Sequence, residues 1–274
     1  MRSRIVLLVV ALTATLFIPQ PASAEPTWAA ADVATVHPGV QTVTEGAQCT
    51  ANFVFFDANN DVYIGQSAHC AGTGGATETN GCDSGSLPLG TPVSVDGADM
   101  PGELVYSSWL TMQDPNVNES DENTCDYNDF ALVKLNPIDY DVVNPSVPFW
   151  GGPTSVGATS SLGDKVYSYG NSSLRFGVST LSPKEGYSLG QAADGWTHDV
   201  YTATPGIPGD SGSAFLSADG AALGTLSTVA LAPFPASNGV GDLAHEFDYA
   251  VTHSGISGLQ LALGTEAFEA GLLP

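Results

Sequence analysis

Short β-rich runs, each cut off within a few residues by glycine, proline or an Asn/Asp cluster, constrain this chain more than any other feature. Residues 52–56 and 62–65 are two such runs, and Asp57-Ala58-Asn59-Asn60-Asp61 between them is a hairpin signal. Residues 130–135 form another, ended by Asn136-Pro137, and further strands are expected over 165–169, 174–181, 199–202, 213–216 and 223–230. A single helical pattern stands out: Leu243, Phe247, Ala250 and Val251 recur at helical spacing behind Asp242 as N-cap, and Gly255 closes it. Leu259, Leu261 and Leu263 then alternate as a last strand. With 31 Gly and 18 Pro in 274 residues, this pattern selects β-barrels or a sandwich over a helical bundle. The Pro/Gly-rich stretch 144–157 divides the chain into halves of similar size.

The beginning of the chain reads as an address. Arg2 and Arg4 precede an uncharged run over 5–18, and Ala22-Ser23-Ala24 is a small-x-small cleavage signal, so residues 1–24 are expected to be a signal peptide. The apolar run is short for a bilayer span, and no later stretch is long enough, so the mature form is expected off the membrane. Lys134, Lys165, Arg175 and Lys184 are then the only Lys and Arg left against 29 acids, and the formal charge moves from -23 to -25. Such a chain has few cations with which to displace counterions from a phosphate backbone, which excludes nucleic acid as a partner. In an oxidising compartment the four cysteines read as two disulfides. Three connectivities exist; the sequential one, Cys49–Cys70 with Cys82–Cys125, is preferred. No C-x-x-C pair points to zinc. The acidic stretch 114–126 lacks EF-hand spacing and reads as a solvated loop, so no metal is expected.

Three motifs carry chemistry: Gly65-Gln66-Ser67-Ala68-His69-Cys70, Tyr127-Asn128-Asp129-Phe130-Ala131-Leu132-Val133 and Pro208-Gly209-Asp210-Ser211-Gly212-Ser213. Acyl transfer needs a hydroxyl nucleophile, an imidazole to take its proton, a carboxylate to hold the imidazole, and donors for the developing oxyanion. The third motif offers Ser211 as nucleophile in a tight glycine turn that can bring the Gly209 and Ser211 N–H groups together. The order His, Asp, Ser separates the chain from α/β-hydrolases and subtilisins, which place their residues in other orders.

In these motifs and their order the sequence resembles the chymotrypsin-like (trypsin-fold) serine proteases, most closely their secreted bacterial branch, over roughly residues 41–264. The resemblance implies an all-β fold of two antiparallel six-stranded β-barrels with a C-terminal helix. The first barrel would span 41–148 and carry His69 and Asp129; the second would span 149–274 and carry Ser211, the oxyanion hole and the specificity pocket. Residues 25–40 would be an N-terminal arm or a short propeptide. It implies His69 as general base and acid, Asp129 rather than the nearby Asp126 as the acid that orients it, and a Cys49–Cys70 bridge anchoring the histidine loop. It also implies a protein or peptide substrate and no cofactor, and the protein is expected to be a monomer.

The specificity positions depart from the Arg/Lys-cleaving pattern. Pro205 stands where that subclass has an acid, and Ser227, Thr228 and Val229 form the substrate strand, with Val229 in place of a common glycine. A small or medium apolar residue before the scissile bond is therefore expected. No Ile-Val-Gly-Gly-type N-terminus occurs, so Asp210 needs another partner: Arg175, Lys165, a processed N-terminus or backbone donors. His37, His198, His245 and His253 lack partner motifs and are expected to be structural or on the surface. The rival readings are a non-catalytic binding protein of the same fold and an esterase-like hydrolase using the same triad.

Overall fold

The computed structural model describes residues 25–75, 79–230 and 235–271, so the expected signal peptide lies outside the described residues. Seven strands come from the first half: β1 (Gln41–Thr44), β2 (Ala47–Thr50), β3 (Val54–Phe56), β4 (Val62–Gln66), β5 (Pro92–Val95), β6 (Gly102–Ser107) and β7 (Ala131–Lys134). Two short helices, α1 (Ser108–Met112) and α2 (Glu122–Tyr127), lie between β6 and β7. The second half supplies β8 (Lys165–Tyr169), β9 (Pro183–Ala192), β10 (Thr197–Thr202), β11 (Ala214–Leu216), β12 (Ala222–Ala230) and β13 (Ser237–Asp242). It ends with α3 (Leu243–His253) and β14 (Gln260–Leu261).

The second-half strands close into a six-stranded antiparallel barrel in the order β10-β13-β12-β11-β8-β9. The first-half strands form a curled sheet instead of a fully hydrogen-bonded ring, in the order β14-β3-β4-β7-β6-β5-β1-β2. Its curl has a covalent cause. β2 lies at one edge and β3 next to the other, and only residues 51–53 join them, so the sheet must wrap round on itself. β14 returns from the end of the chain to pair with β3.

The hydrophobic core joins the two halves. One cluster, including Val36, Val54, Ile64, Leu104 and Val133, fills the first sheet, and another around Phe215, Leu226 and Val240 fills the second. Between them Phe53, Phe55, Tyr106 and Phe130 of the first half pack with Trp150, Tyr167, Leu216 and Leu243 of the second. Trp150 is fully buried and donates its indole N–H to the Ser168 carbonyl at 2.7 Å. The 25–40 segment joins this core: Val36 and Val40 are buried, and Ala29 and Val36 N–H groups bond the Val143 and Val142 carbonyls.

Both disulfides have the sequential pairing, Cys49–Cys70 and Cys82–Cys125. α3 starts as expected, with the Asp242 carboxylate accepting the His245 N–H at 3.0 Å. Residues 174–181 are not a strand. They make two 3-10 turns, over Ser173–Arg175 and Ser179–Leu181, because Phe176 (φ 52°) and Gly177 (φ 74°) are left-handed and break any extended run. The acidic stretch 114–126 turns its carboxylates onto local donors: Asp114 accepts the Asn116 N–H, Glu119 those of Ser120 and Asp121, and Asp121 caps α2 through Thr124.

Candidate active site

His69 sits in a 3-10 turn directly after β4. The turn is tied on both sides, by the Cys49–Cys70 bridge and by the Ala68 N–H on the Asp129 carbonyl at 3.1 Å. Asp129, just before β7, holds the residue at two points: Oδ1 accepts the His69 backbone N–H at 2.8 Å, and Oδ2 lies 2.6 Å from Nδ1. A carboxylate acceptor fixes the proton on Nδ1 and leaves Nε2 as the free acceptor. Burial alone would lower the His69 pKa, but the Asp129 charge and hydrogen bond outweigh it and raise the imidazole above its ordinary value. Asp126 is turned outward and accepts from Asn80.

Two further residues complete the setting of Asp129: Ser227, expected only on the substrate strand, and Glu246, for which no role was expected. The Ser227 hydroxyl donates to Oδ2 at 2.6 Å, and Glu246 on α3 accepts the Asp129 N–H at 3.2 Å. Glu246 is fully buried, and burial followed by the nearby Asp129 charge pushes its carboxyl well above the usual range. Gly241 makes room for it, since a Cβ there would lie 2.3 Å from Oε1. A signal for Glu246 was present: it shares a helix face with Leu243 and Ala250, both buried.

Ser211 lies in a tight turn that needs glycine on both sides. Gly209 (φ 94°) and Gly212 (φ 89°) are left-handed, and a Cβ at 212 would lie 2.3 Å from the Thr50 carbonyl. The Asp210 N–H bonds the Ile207 carbonyl at 2.8 Å and the Gly212 N–H bonds that of Leu226 at 2.7 Å. Among the described residues, neither the Gly209 nor the Ser211 N–H is spent on a protein acceptor. His69, Gly209 and Ser211 line one cleft of about 630 Å³. No hydrogen bond joins the Ser211 hydroxyl to the imidazole here; such contacts commonly tighten only when substrate arrives.

Asp210, fully buried, is met by two cations. Arg175 Nη2 is 2.6 Å and Lys184 Nζ 3.0 Å from Oδ2, and the Ser172 N–H reaches Oδ1 at 2.9 Å. Burial alone would raise the Asp210 carboxyl, but Lys184 and Arg175 hold it below its usual range. Lys184, also fully buried, is pulled down by burial to about 8. Of the partners expected from sequence, Arg175 is present and Lys165 is not, because Lys165 pairs with Glu185 across β8 and β9.

The substrate side divides the expected residues. Ser227, Thr228 and Val229 line the cleft; Pro205 does not, its carbonyl being turned to Arg175 at 2.9 Å. Behind this side lies Asn238, a buried residue on β13 that carried no sequence signal. It accepts the Gly206 N–H at 2.8 Å and donates to the Thr228 carbonyl at 3.2 Å, tying the residue before Ile207 to Thr228, and both Ile207 and Thr228 line the cleft. Among the described residues the cleft lining contains no Asp, Glu, Lys or Arg. The other histidines are held elsewhere: His37 by the Pro38 carbonyl, His198 between Ser160 and Asp242, His245 on Asp242, and His253 against Tyr249. Among the described residues, the one close group of metal-binding residue types, Cys49, His69 and Cys70, has its sulfurs in the disulfide and offers no thiolate.

A closed six-stranded barrel beside a curled β-sheet, with a helix near the end of the chain, defines a chymotrypsin-like architecture, and the chain has that fold. It is similar to solved structures of Thermobifida fusca protease A (15% identity, TM-score 0.52, covering 84% of this chain and 99% of that one). A Nocardiopsis protease is similar at 16% identity and TM-score 0.49, over 82% and 98% of the two chains. A glutamic-acid-specific serine protease, described as using a histidine triad in substrate binding, is similar at 17% identity and TM-score 0.49, over 79% and 98%. No protein-family model matches the sequence. No curated protein matches it significantly.

Proposed function

We propose that this chain is a secreted serine endopeptidase that cuts peptide bonds through Ser211, His69 and Asp129. The observation that carries the reading is the two-point hold of Asp129 on His69, which leaves Nε2 facing the cleft that Ser211 lines. In this mechanism Ser211 Oγ attacks the scissile carbonyl carbon while His69 Nε2 takes its proton. The Gly209 and Ser211 N–H groups receive the oxyanion, and His69 then passes the proton to the leaving amine. Water, deprotonated by the same imidazole, releases the acyl group from Ser211.

The pocket supports a small or medium apolar residue before the scissile bond. The Val229 side chain takes space in the cleft that a glycine would leave open, and the described lining has no Asp, Glu, Lys or Arg to meet a basic or acidic side chain. Secretion is supported by the leader-like residues 1–24 and the two disulfides. No helix among the described residues is long and apolar enough to cross a membrane. We read residues 25–40 as an integral arm, since Val36 and Val40 sit in the core and Asp210 already has internal cations.

Fluorophosphonate labelling of the purified mature protein beside Ser211→Ala, followed by casein and short-ester assays, tests the reading. Labelling and casein cleavage by the parent alone are expected. An unlabelled parent would favour a binding protein, and ester turnover without proteolysis an esterase. A peptide library dominated by Arg, Lys or Glu before the cut would reject the proposed specificity.

A further inference from the structure

Gly209 is the weak point of the oxyanion turn. With φ at 94° and no Cβ, little in its own sterics stops the peptide before it from rotating and carrying its N–H away from the cleft. The surrounding side chains supply what the glycine lacks. The Ser172 hydroxyl donates to the Pro208 carbonyl at 2.6 Å. In a trans peptide the C=O and N–H point in opposite directions, so fixing the Pro208 carbonyl on Ser172 fixes the Gly209 N–H on the other side. The next peptide is held as well: the Gly209 carbonyl accepts from Gln48 Nε2 at 2.8 Å and from Thr50 Oγ1 at 2.7 Å.

Gln48 ties this arrangement together. Its Oε1 accepts the Ser173 N–H at 3.0 Å, while Nε2 also donates to the Cys49 carbonyl at 2.8 Å. Its amide orientation is thereby determined, because a flip would set the oxygen against two carbonyls. Gln48 belongs to β2 of the first sheet, and the residue after it is bridged to Cys70, the neighbour of His69. The same side chain thus registers the turn bearing Ser211 against the loop bearing the base.

We propose that Gln48, with Ser172, is a positioning residue for the oxyanion hole, clamping the two peptide groups that flank Gly209. The inference rests on the proteolytic reading above and assigns what keeps its donors aimed. Donors held in place before reaction avoid reorganisation in the transition state, so loosening them should act on kcat more than on KM.

The test compares the parent with Gln48→Met, Ser172→Ala and Ser172→Thr on one peptide substrate. We expect Gln48→Met and Ser172→Ala to lose about 10- to 100-fold in kcat, somewhat less than removal of an oxyanion donor itself. KM should stay within about threefold, and affinity for a peptide aldehyde, which mimics the tetrahedral state, should fall in parallel with kcat. Ser172→Thr, which keeps the hydroxyl, should restore most of the loss. Thermal melts separate this pattern from unfolding. Parent-like kcat in both folded variants, or a loss confined to KM, overturns the clamp. A parent that neither labels nor hydrolyses defeats the proteolytic reading instead. The clamp is then judged on crystal structures of Gln48→Met and Ser172→Ala, where an unchanged Pro208–Gly209 peptide overturns it.

Discussion

Asp129 and Asp210 are both buried, yet they are stabilised by different means and should fail differently. Asp129 is held by backbone and hydroxyl donors and faces an imidazole that must be neutral to accept a proton. Because Asp129 raises His69, kcat/KM should climb with pH through a midpoint above the ordinary histidine value of about 6.5. Asp129→Asn should lower kcat about 10⁴-fold by favouring the wrong tautomer, measurable as a pH–rate profile. Asp210 instead sits in a cluster of two cations and one anion. Asp210→Asn leaves Arg175 and Lys184 buried without their counter-charge and should cost about 3–5 kcal/mol. Lys184→Met leaves a balanced Arg175–Asp210 pair and should cost about 1 kcal/mol or less in urea denaturation. The sign of the pH effect follows from Lys184, whose folded value lies near 8. Between that pH and about 10.5 the unfolded chain keeps a proton that the folded one has lost, so stability from this group rises with pH. Lys184→Met should remove that rise.

Elements place side chains that act far from their own position in the chain. β13 puts Asn238 between Gly206 and Thr228, and its amide braces the Thr228 segment that lines the cleft. Asn238→Ala should loosen the Thr228 segment of the cleft, shifting preference toward larger apolar residues by about tenfold in kcat/KM. It should also destabilise by about 1–3 kcal/mol, because the buried Gly206 N–H loses its acceptor. Cleavage profiling and a urea melt on the same sample check both halves; an unchanged profile would show that Asn238 does not limit the pocket. α3 works in the same manner. Its apolar face packs between the halves through Leu243 and Ala250, and the same face brings Glu246 behind Asp129.

At the scale of the whole molecule the charge imbalance dominates. All four Lys and Arg after residue 24 are in ion pairs, Lys134 with Asp61, Lys165 with Glu185, and Arg175 and Lys184 with Asp210. The remaining acids repel one another across a surface without free cations, and dissolved salt screens that repulsion. The melting temperature should therefore rise by several degrees between about 0.05 and 1 M NaCl, where the Debye length falls to about 3 Å. A fall with salt would mean that the ion pairs outweigh the repulsion.

The two-barrel fold and the Cys49–Cys70 bridge were expected from a family resemblance; the sequence by itself determined the pattern of short strands, the capped helix behind Asp242 and the three motifs. These are local signals: turn glycines, N-cap chemistry and short apolar runs leave their mark on neighbouring residues. The tertiary structure decided the rest. Residues 174–181 have strand composition but become turns, because Phe176 and Gly177 go left-handed while Arg175 reaches Asp210. Lys184 was legible only as one more lysine, and Asn238 and Gln48 lay outside every expected strand. Each meets partners more than 20 residues away, from 26 positions for Lys184 with Asp210 to 161 for Gln48 with Gly209. Such contacts depend on how the sheets curl and dock, and no local pattern records them. The chain's own order supplied the proposed reacting groups; the packing of its two halves supplied what holds them.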